Sequence, residues 1–302
     1  MNEFLANWRL HRCQQAIENA SEDAKAWSKL YSLYAELDKP NEFLGFCREN
    51  LTRRPDTQQA WKFLRMASEG QVSEADALGF VRDVVRMHPS SERAWTQLDL
   101  ESEKLANPAE WVAFCREILN QHPNNMHAWS RLMRGLKTEA KHADLVSACL
   151  QAIRLRPDAQ TWLNLAEAYA AQSKFEEAIT AYEKAIELKP NFLVAINGLG
   201  CALHTVGRYE EAVGLFLKAT KLNQNDATPF AWLALAYIQL GQRQKAQDAV
   251  AKVKKLLPMV AEMLETELHS MPADASDSHM ANARITIGRL ALQFQQPVAA
   301  KA

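Results

Sequence analysis

Residues 161–190, TWLNLAEAYAAQSKFEEAITAYEKAIELKP, decide the fold. Trp162, Leu165, Ala166 and Tyr169 stand at offsets of three, four and seven, which puts them on one face of a helix. Phe175, Ala178, Tyr182 and Ala185 repeat that spacing in the second half. Ser173 and Lys174 interrupt the pattern between them, so the stretch reads as two short helices and a turn. Pro190 closes it, because proline lacks the N–H and its ring clashes with the preceding turn. Asn191 is then expected as the N-cap of the next helix. Two helices this short cannot bury their apolar faces alone and need a copy stacked on each side.

The copies are present. Steps of 34 or 33 residues from Trp27 reach Trp61, Trp95, Trp129, Trp162, Ile196 and Phe230. Three residues after each stands a leucine: Leu30, Leu64, Leu98, Leu132, Leu165, Leu199 and Leu233. Twenty-eight residues after each comes Pro55, Pro89, Pro123, Pro157, Pro190, Gln224 or Pro258. This period and residue order resemble the tetratricopeptide repeat over roughly residues 24–258. The resemblance implies an all-α, right-handed α-solenoid of stacked helix-turn-helix units. It also implies a non-enzymatic protein-binding role, with a concave face lined by the first helix of each unit.

The last three units fit that pattern most fully. They have Ala166, Gly200 and Ala234 on the first helix and Ala178, Ala212 and Ala246 on the second, with Gly207 and Gly241 in the turns. The first four keep Trp, Leu and Pro but lose the small residues. Their corresponding pairs are Tyr31 with Phe43, Arg65 with Ala77, Asp99 with Trp111 and Met133 with Leu145. Large side chains hold helices apart, so wider helix pairs and a different curvature are expected in residues 24–157 than in 158–258. Arg65 and Asp99 cannot be fully buried without partners. They either face the groove or mark a local departure from the family geometry.

Outside the repeats, residues 1–22 read as an N-terminal capping helix with Trp8 and Cys13 turned inward. Residues 259–271 read as a C-terminal capping helix. Residues 272–302 read as a linker and an apolar tail containing Ile285, Ile287, Leu290, Leu292 and Phe294. Three readings of the tail stay open: a segment without fixed structure, a segment that docks on the solenoid or a partner, or a foreign remnant, since Ser278-His279-Met280 resembles a cloning-site scar.

Composition narrows the function. The net charge is −1, with 21 Lys/Arg against 21 Asp/Glu in residues 1–157 and 14 against 15 in the rest. That balance disfavours a sequence-independent nucleic-acid binder. No stretch reaches the ~18–20 apolar residues of a membrane span. Of the five cysteines, Cys13, Cys47, Cys115 and Cys149 occupy one second-helix position in successive units, the place of small buried apolar residues. Their spacing does not suit a zinc site. Free thiols and an N-terminus without an export signal fit a reducing cytoplasm. No glycine-rich phosphate loop, GxSxG, HExxH or CxxC is present, so neither an enzyme activity nor a cofactor or metal is expected. Glu176-Glu177 and Glu210-Glu211 read as acids that complement helix N-termini, and His88 and His122 as cations near helix C-termini.

The surface left for function is the first-helix face. The resemblance places Lys25, Lys29, Lys62, Arg93, Gln97, His127, Arg131, Arg134, Asn164, Glu167 and Asn197 along the concave wall. Seven of these eleven are Lys, Arg or His, and Glu103 one turn further along dilutes them. A concave basic wall focuses field on an anionic guest, and Arg offers bidentate contacts to carboxylates. The expected partner is therefore a protein or peptide with an acidic or amphipathic segment. Asn164 stands where some relatives hold a C-terminal carboxylate, but Asn197 is one residue out of phase, so that clamp does not carry over. The competing reading is a self-assembling structural protein, associating through residues 280–296.

Overall fold

The computed structural model describes residues 3–69, 72–105 and 107–270. These form helices and connecting turns, with no strand among them. In chain order the helices are α1 (Glu3–Asn19), α2 (Ala24–Glu36), α3 (Pro40–Arg53), α4 (Gln58–Ser68), α5 (Glu74–Met87) and α6 (Glu92–Leu105). They continue with α7 (Pro108–Gln121), α8 (Met126–Thr138), α9 (His142–Leu155), α10 (Ala159–Ala171) and α11 (Phe175–Leu188). The last are α12 (Leu193–Thr205), α13 (Tyr209–Leu222), α14 (Ala227–Gln239), α15 (Arg243–Leu256) and α16 (Pro258–Ser270). The chain divides into two compact units, one ending at Glu139 and the other beginning at Ala140. The division falls between the two helices of the fourth repeat.

Local chemistry sets the helix ends. Asp23, Ser73, Asn107, Asn125, Asp158 and Asp226 each accept a backbone N–H from the first turn of the helix they precede. Pro40 and Pro108 open α3 and α7, where the missing N–H costs nothing. Glu176-Glu177 and Glu210-Glu211 lie in the first turns of α11 and α13, and His88 and His122 are the C-caps of α5 and α7. Within a repeat, the turn between the helices passes through the left-handed region at Asp38, Ala140, Ser173, Gly207 and Gly241. Two expectations fail here. The residue before α12 is Phe192 rather than Asn191, and it makes no side-chain capping bond. Trp8 does not face inward: it is 53% exposed, while Ala6, Leu10, Cys13 and Ile17 form the buried face of α1. The spacing of those four residues excludes Trp8, and Arg12 covers its outer face with a guanidinium 5.4 Å from the ring centre.

In the C-terminal unit the closest neighbours are the two helices of one repeat, α10/α11, α12/α13 and α14/α15. Small residues permit this. Ala166, Ala178, Ala212, Ala234 and Ala246 are fully buried. A Cβ on Gly200 would stand 2.6 Å from the Phe216 ring, and one on Gly198 2.5 Å from Tyr182. α16 packs on α14 and α15 through Val260, Ala261, Leu264 and Leu268.

The N-terminal unit is built in the opposite phase. Its closest pairs are α1/α2, α3/α4, α5/α6 and α7/α8, each joining the second helix of one repeat to the first helix of the next. Within repeats, α2/α3 share only a short stretch, and the α4/α5 and α6/α7 backbones barely approach. The large side chains are the physical cause. Tyr31 meets Phe43 with ring centres 5.3 Å apart, and both meet Phe63. The expected widening is thus found inside this unit.

The retained tryptophans have a second role besides filling the core. Trp27, Trp61, Trp95 and Trp129 each donate their indole N–H to a backbone carbonyl six residues earlier, at Ser21, Pro55, Pro89 and Pro123, over 2.7–2.8 Å. Asn125 Nδ2 also donates to Pro89 O at 2.6 Å, Ser91 Oγ donates to Asp56 Oδ1 at 2.6 Å, and His88 Nε2 lies 2.6 Å from Thr52 O. The proline loops of the N-terminal unit are therefore tied to one another. The widened helices are held in register from one end.

Cys13, Cys47, Cys115 and Cys149 are buried free thiols. Burial pushes the Cys115 and Cys149 thiols up to about 12. The expectations for the linker and tail over 272–302, and for self-association through 280–296, lie outside the described residues, as does the side chain of Glu103.

Candidate protein-binding face

The N-terminal unit presents the exposed or half-buried sides of α2, α4, α6 and α8 in sequence. Lys25 and Lys29 on α2 and Lys62 on α4 are exposed. Arg93 and Gln97 on α6 and His127 on α8 are half-buried. Adjacent first helices are cross-linked, since Arg65 on α4 donates to Gln97 Oε1 on α6 at 3.3 Å.

The centre of the face is an ion cluster rather than a row of independent cations. Arg131 on α8 grips Asp99 on α6 with both prongs, Nη2 to Oδ2 at 2.7 Å and Nε to Oδ1 at 3.2 Å. Its guanidinium also lies over the Trp95 ring, 5.0 Å from the centroid. Arg134, one turn on, also donates to Asp99 Oδ1, the oxygen that accepts from Arg131 Nε. The side chains of Arg131 and Asp99 are 13% and 20% exposed, whereas that of Arg134 is 57% exposed. Of the two arginines, only Arg134 offers its charge broadly to solvent. His127 is held below its usual range, first by burial and second by the neighbouring Arg131 charge, so its ring is neutral at pH 7.

Beside this cluster the parting of α6 and α7 opens a cleft of about 720 Å³, counting the space open to solvent. Asp99, Asn107, Pro108, Trp111, Arg134 and Thr138 are among its walls. Trp111 spans the gap and donates its indole N–H to Arg131 O at 3.3 Å. Gly135 lets α8 approach, since a Cβ there would sit 2.8 Å from Val112 and 3.1 Å from Trp111.

The remaining expected site residues belong to the C-terminal unit. Asn164 on α10 accepts from Gln160 Nε2 at 3.2 Å. Asn197 on α12 is half-buried, and its Oδ1 meets no hydrogen-bond donor. Glu167 is half-buried on α10. Lys25 to Arg134 thus belong to the N-terminal unit, and Asn164, Glu167 and Asn197 to the C-terminal one.

Three contributors fall outside the expected set. Asp99 and Arg65 stand at the position where the last repeats carry Ala or Gly, so in sequence they look like packing anomalies rather than the centre of the face. Trp111 belongs to a second helix. The detectable signal is pairwise: Asp99 and Arg131 are opposite charges just under one repeat apart. Among the described residues no group of three or more His, Cys, Asp or Glu side chains could hold a metal ion. No helix among them is long and apolar enough to cross a membrane.

Such an arrangement, two-helix repeats stacked so that their first helices stand side by side, defines a helical-repeat scaffold. Residues 159–192 and 197–262 match family models described as tetratricopeptide repeat. The chain thus contains tetratricopeptide repeats over these residues, a family whose members generally mediate protein–protein interactions. Among solved structures it is similar to YrrB, described as a TPR protein with an unusual peptide-binding site. The TM-score is 0.53 at 16% identity, covering 62% of this chain and 97% of YrrB. It is also similar to MamA, with a TM-score of 0.47 at 20% identity over 50% of this chain and 89% of MamA. The Cut9–Hcn1 hetero-tetramer of APC/C gives 0.49 at 15% identity over 93% of this chain and 59% of that one. No curated protein matches the chain in sequence.

Proposed function

We propose that the chain is a non-enzymatic scaffold, adaptor or chaperone working in the reducing cytoplasm. It holds an acidic or amphipathic segment of a partner protein against the first-helix face of its N-terminal unit. The observation that carries this reading is the exposure of Lys25, Lys29, Lys62 and Arg134 on successive first helices, with Gln97 and the half-buried Arg93 between them. Asp99 neutralises part of that charge but leaves the Asp99–Arg131–Arg134 cluster with a net positive charge. Solvent-facing cations on one wall steer an anionic chain and weaken with salt.

The test uses Lys25→Glu/Lys29→Glu/Lys62→Glu. These lysines are exposed, so their reversal leaves the core intact. Binding of a labelled acidic peptide is measured by fluorescence anisotropy at low and at physiological salt. At least tenfold weaker binding is expected, with unchanged helical circular dichroism. Undiminished binding overturns the assignment of this face.

A further inference from the structure

The parting of helices leaves unequal spaces in the N-terminal unit. Beside Ala77, between α4, α5 and α6, it leaves a cleft of about 30 Å³, with room for water alone. Between α1 and α3 it leaves a cavity of about 550 Å³, the size of an ordinary small-molecule site. The cause is again the large pair Tyr31 and Phe43. α2 packs closely on α1 but shares only a short stretch with α3, so α3 stands away from α1. Arg54, the C-cap of α3, donates Nη1–H to the backbone oxygen of Glu18 at 2.9 Å and ties the ends of the two helices together. α1 lines the space with Gln14, Gln15 and Glu18, and α3 with Phe46, Glu49, Asn50 and Arg53, each set at helical spacing.

The lining is polar and balanced in charge. The carboxylates of Glu18 and Glu49 are matched by the guanidiniums of Arg53 and Arg54, and Arg53 is already paired with Glu49. The site therefore favours neither an anion nor a cation. Its carboxamides, Gln14, Gln15, Asn19 and Asn50, supply donors and acceptors side by side. Asn50 is only 9% exposed, and its side-chain oxygen meets no donor. A buried acceptor in that state costs about 1–3 kcal/mol until a donor is brought to it. Phe46, half-buried with its ring 5.6 Å from that of Trp27, is the one apolar side chain among the described lining residues. A hydroxyl group donates and accepts through one atom. A neutral molecule with many hydroxyls therefore matches this lining, where an ionic or apolar ligand leaves groups without partners.

We propose that the cavity binds a neutral polyhydroxylated ligand of one or two sugar rings. Its hydroxyls bridge the carboxamides, the Glu18 carboxylate and the Arg54 guanidinium, one of them meets Asn50 Oδ1, and the C–H face of a ring lies on Phe46. The site is built from α1 and α3 rather than from the first helices, so it does not depend on the acidic-segment reading.

The probes are three neutral disaccharides, maltose, cellobiose and N,N′-diacetylchitobiose, with the blocked peptide acetyl-Gly-Ser-Gly-Ser-amide beside them. Each is titrated by calorimetry into the full chain and into Asn50→Leu, which keeps the buried volume and removes the acceptor. Glu18→Gln serves as a second variant should the buried change disturb folding, since Glu18 is exposed, and helical circular dichroism is recorded for both. At least one sugar is expected to bind the wild type with a Kd on the order of 0.1–1 mM, equally at low and at high salt. Both variants are expected to bind it at least tenfold more weakly. No binding of any of the three sugars, or binding of the peptide alone, overturns the ligand class. Sugar binding that survives in both folded variants overturns the cavity as its location.

Discussion

His204 near the end of α12 makes the stability of the C-terminal unit depend on pH, by an amount that can be worked out. Its side chain is 2% exposed and lies between the rings of Tyr209, 5.0 Å away, and Trp232, 5.5 Å away. Neither ring nitrogen meets a hydrogen-bond partner in good geometry. The Leu235 backbone is near enough to favour the charged ring slightly, but burial outweighs it and lowers the pKa from 6.5 to about 4. The folded chain therefore binds this proton less well than the unfolded chain. Stability from the neutral ring is fully present above about pH 6.5 and is lost as pH falls towards 4. Each tenfold difference in proton affinity between the folded and unfolded chain is worth about 1.4 kcal/mol. The full loss is therefore roughly 3 kcal/mol, of which about 2 kcal/mol has gone by pH 5. With a urea dependence of ~1–3 kcal/mol per molar, that displaces the unfolding midpoint by about 1 M. The assay is urea unfolding at pH 7 and pH 5 for the wild type and His204→Leu, followed by Trp232 emission in a background of Trp-to-Phe replacements. Other carboxylates and histidines titrate in both proteins, so only the difference between them reports His204. The wild type is expected to lose about 2 kcal/mol more than His204→Leu between these pH values. Equal losses would show that the ring is solvated or already paired in the folded state, and the reasoning fails.

The packing leads to four further expectations. Ser173 has φ 60° in the turn before α11, so Ser173→Gly is expected to raise stability by about 1 kcal/mol in thermal or urea unfolding, and Gly207→Ala to lower it by a similar amount. Pro89 O accepts from both Trp95 and Asn125, so Trp95→Phe, which also leaves a gap in the core, and Asn125→Ala, which also loses the α8 cap, should each cost about 1–3 kcal/mol, whereas the double variant, which leaves the carbonyl without either donor, costs more than their sum. Asp99→Asn removes the acid from the central cluster. Acidic-peptide affinity by anisotropy should rise about fivefold at low salt, while stability falls by about 1–2 kcal/mol as Arg131 loses its partner. Ala166→Leu, by contrast, forces α10 from α11 and should cost about 1–3 kcal/mol with little effect on peptide binding.

The repeat was legible because its spacing reflects a physical need shared by all its copies. Trp27, Trp61, Trp95 and Trp129 recur because the same indole N–H must reach the same loop carbonyl each time. Leu30, Leu98 and Leu132 recur because the same buried position must be filled. The turns were legible through Gly207 and Gly241, but Asp38, Ala140 and Ser173 adopt the same left-handed conformation without glycine, and nothing in their identity announces it. The inward face of α1 was not legible at Trp8, because a terminal helix has a neighbour on one side only and can leave a tryptophan outside. What no single position revealed was the change of phase. Which helix of a repeat takes which neighbour as its closest partner depends on two facing side chains at once, as with Tyr31 and Phe43 against Ala166 and Ala178.

That change of phase also explains the chemistry of the binding face. If α4/α5 and α6/α7 closed as tightly as α10/α11, Arg65 and Asp99 would stand where Ala166 is now fully buried, and each would lose solvation worth several kcal/mol. Parted helices let Arg65 reach Gln97 and let Asp99 reach Arg131 and Arg134. Polar residues at the inner position are thus tolerated because the helices are open, and the helices stay open because such residues cannot be compressed between them. The loop ladder through Asp56, Ser91, Asn125 and the tryptophans supplies the order that close helix packing no longer provides. The clefts beside Ala77 and Trp111 are what remains between the parted helices, and they lie on the face where the exposed cations stand. Alanine at 65 and 99 would therefore remove one charge of each sign from that face and, at the Arg65–Ala77 pair, where no large side chain remains, allow the two helices to approach.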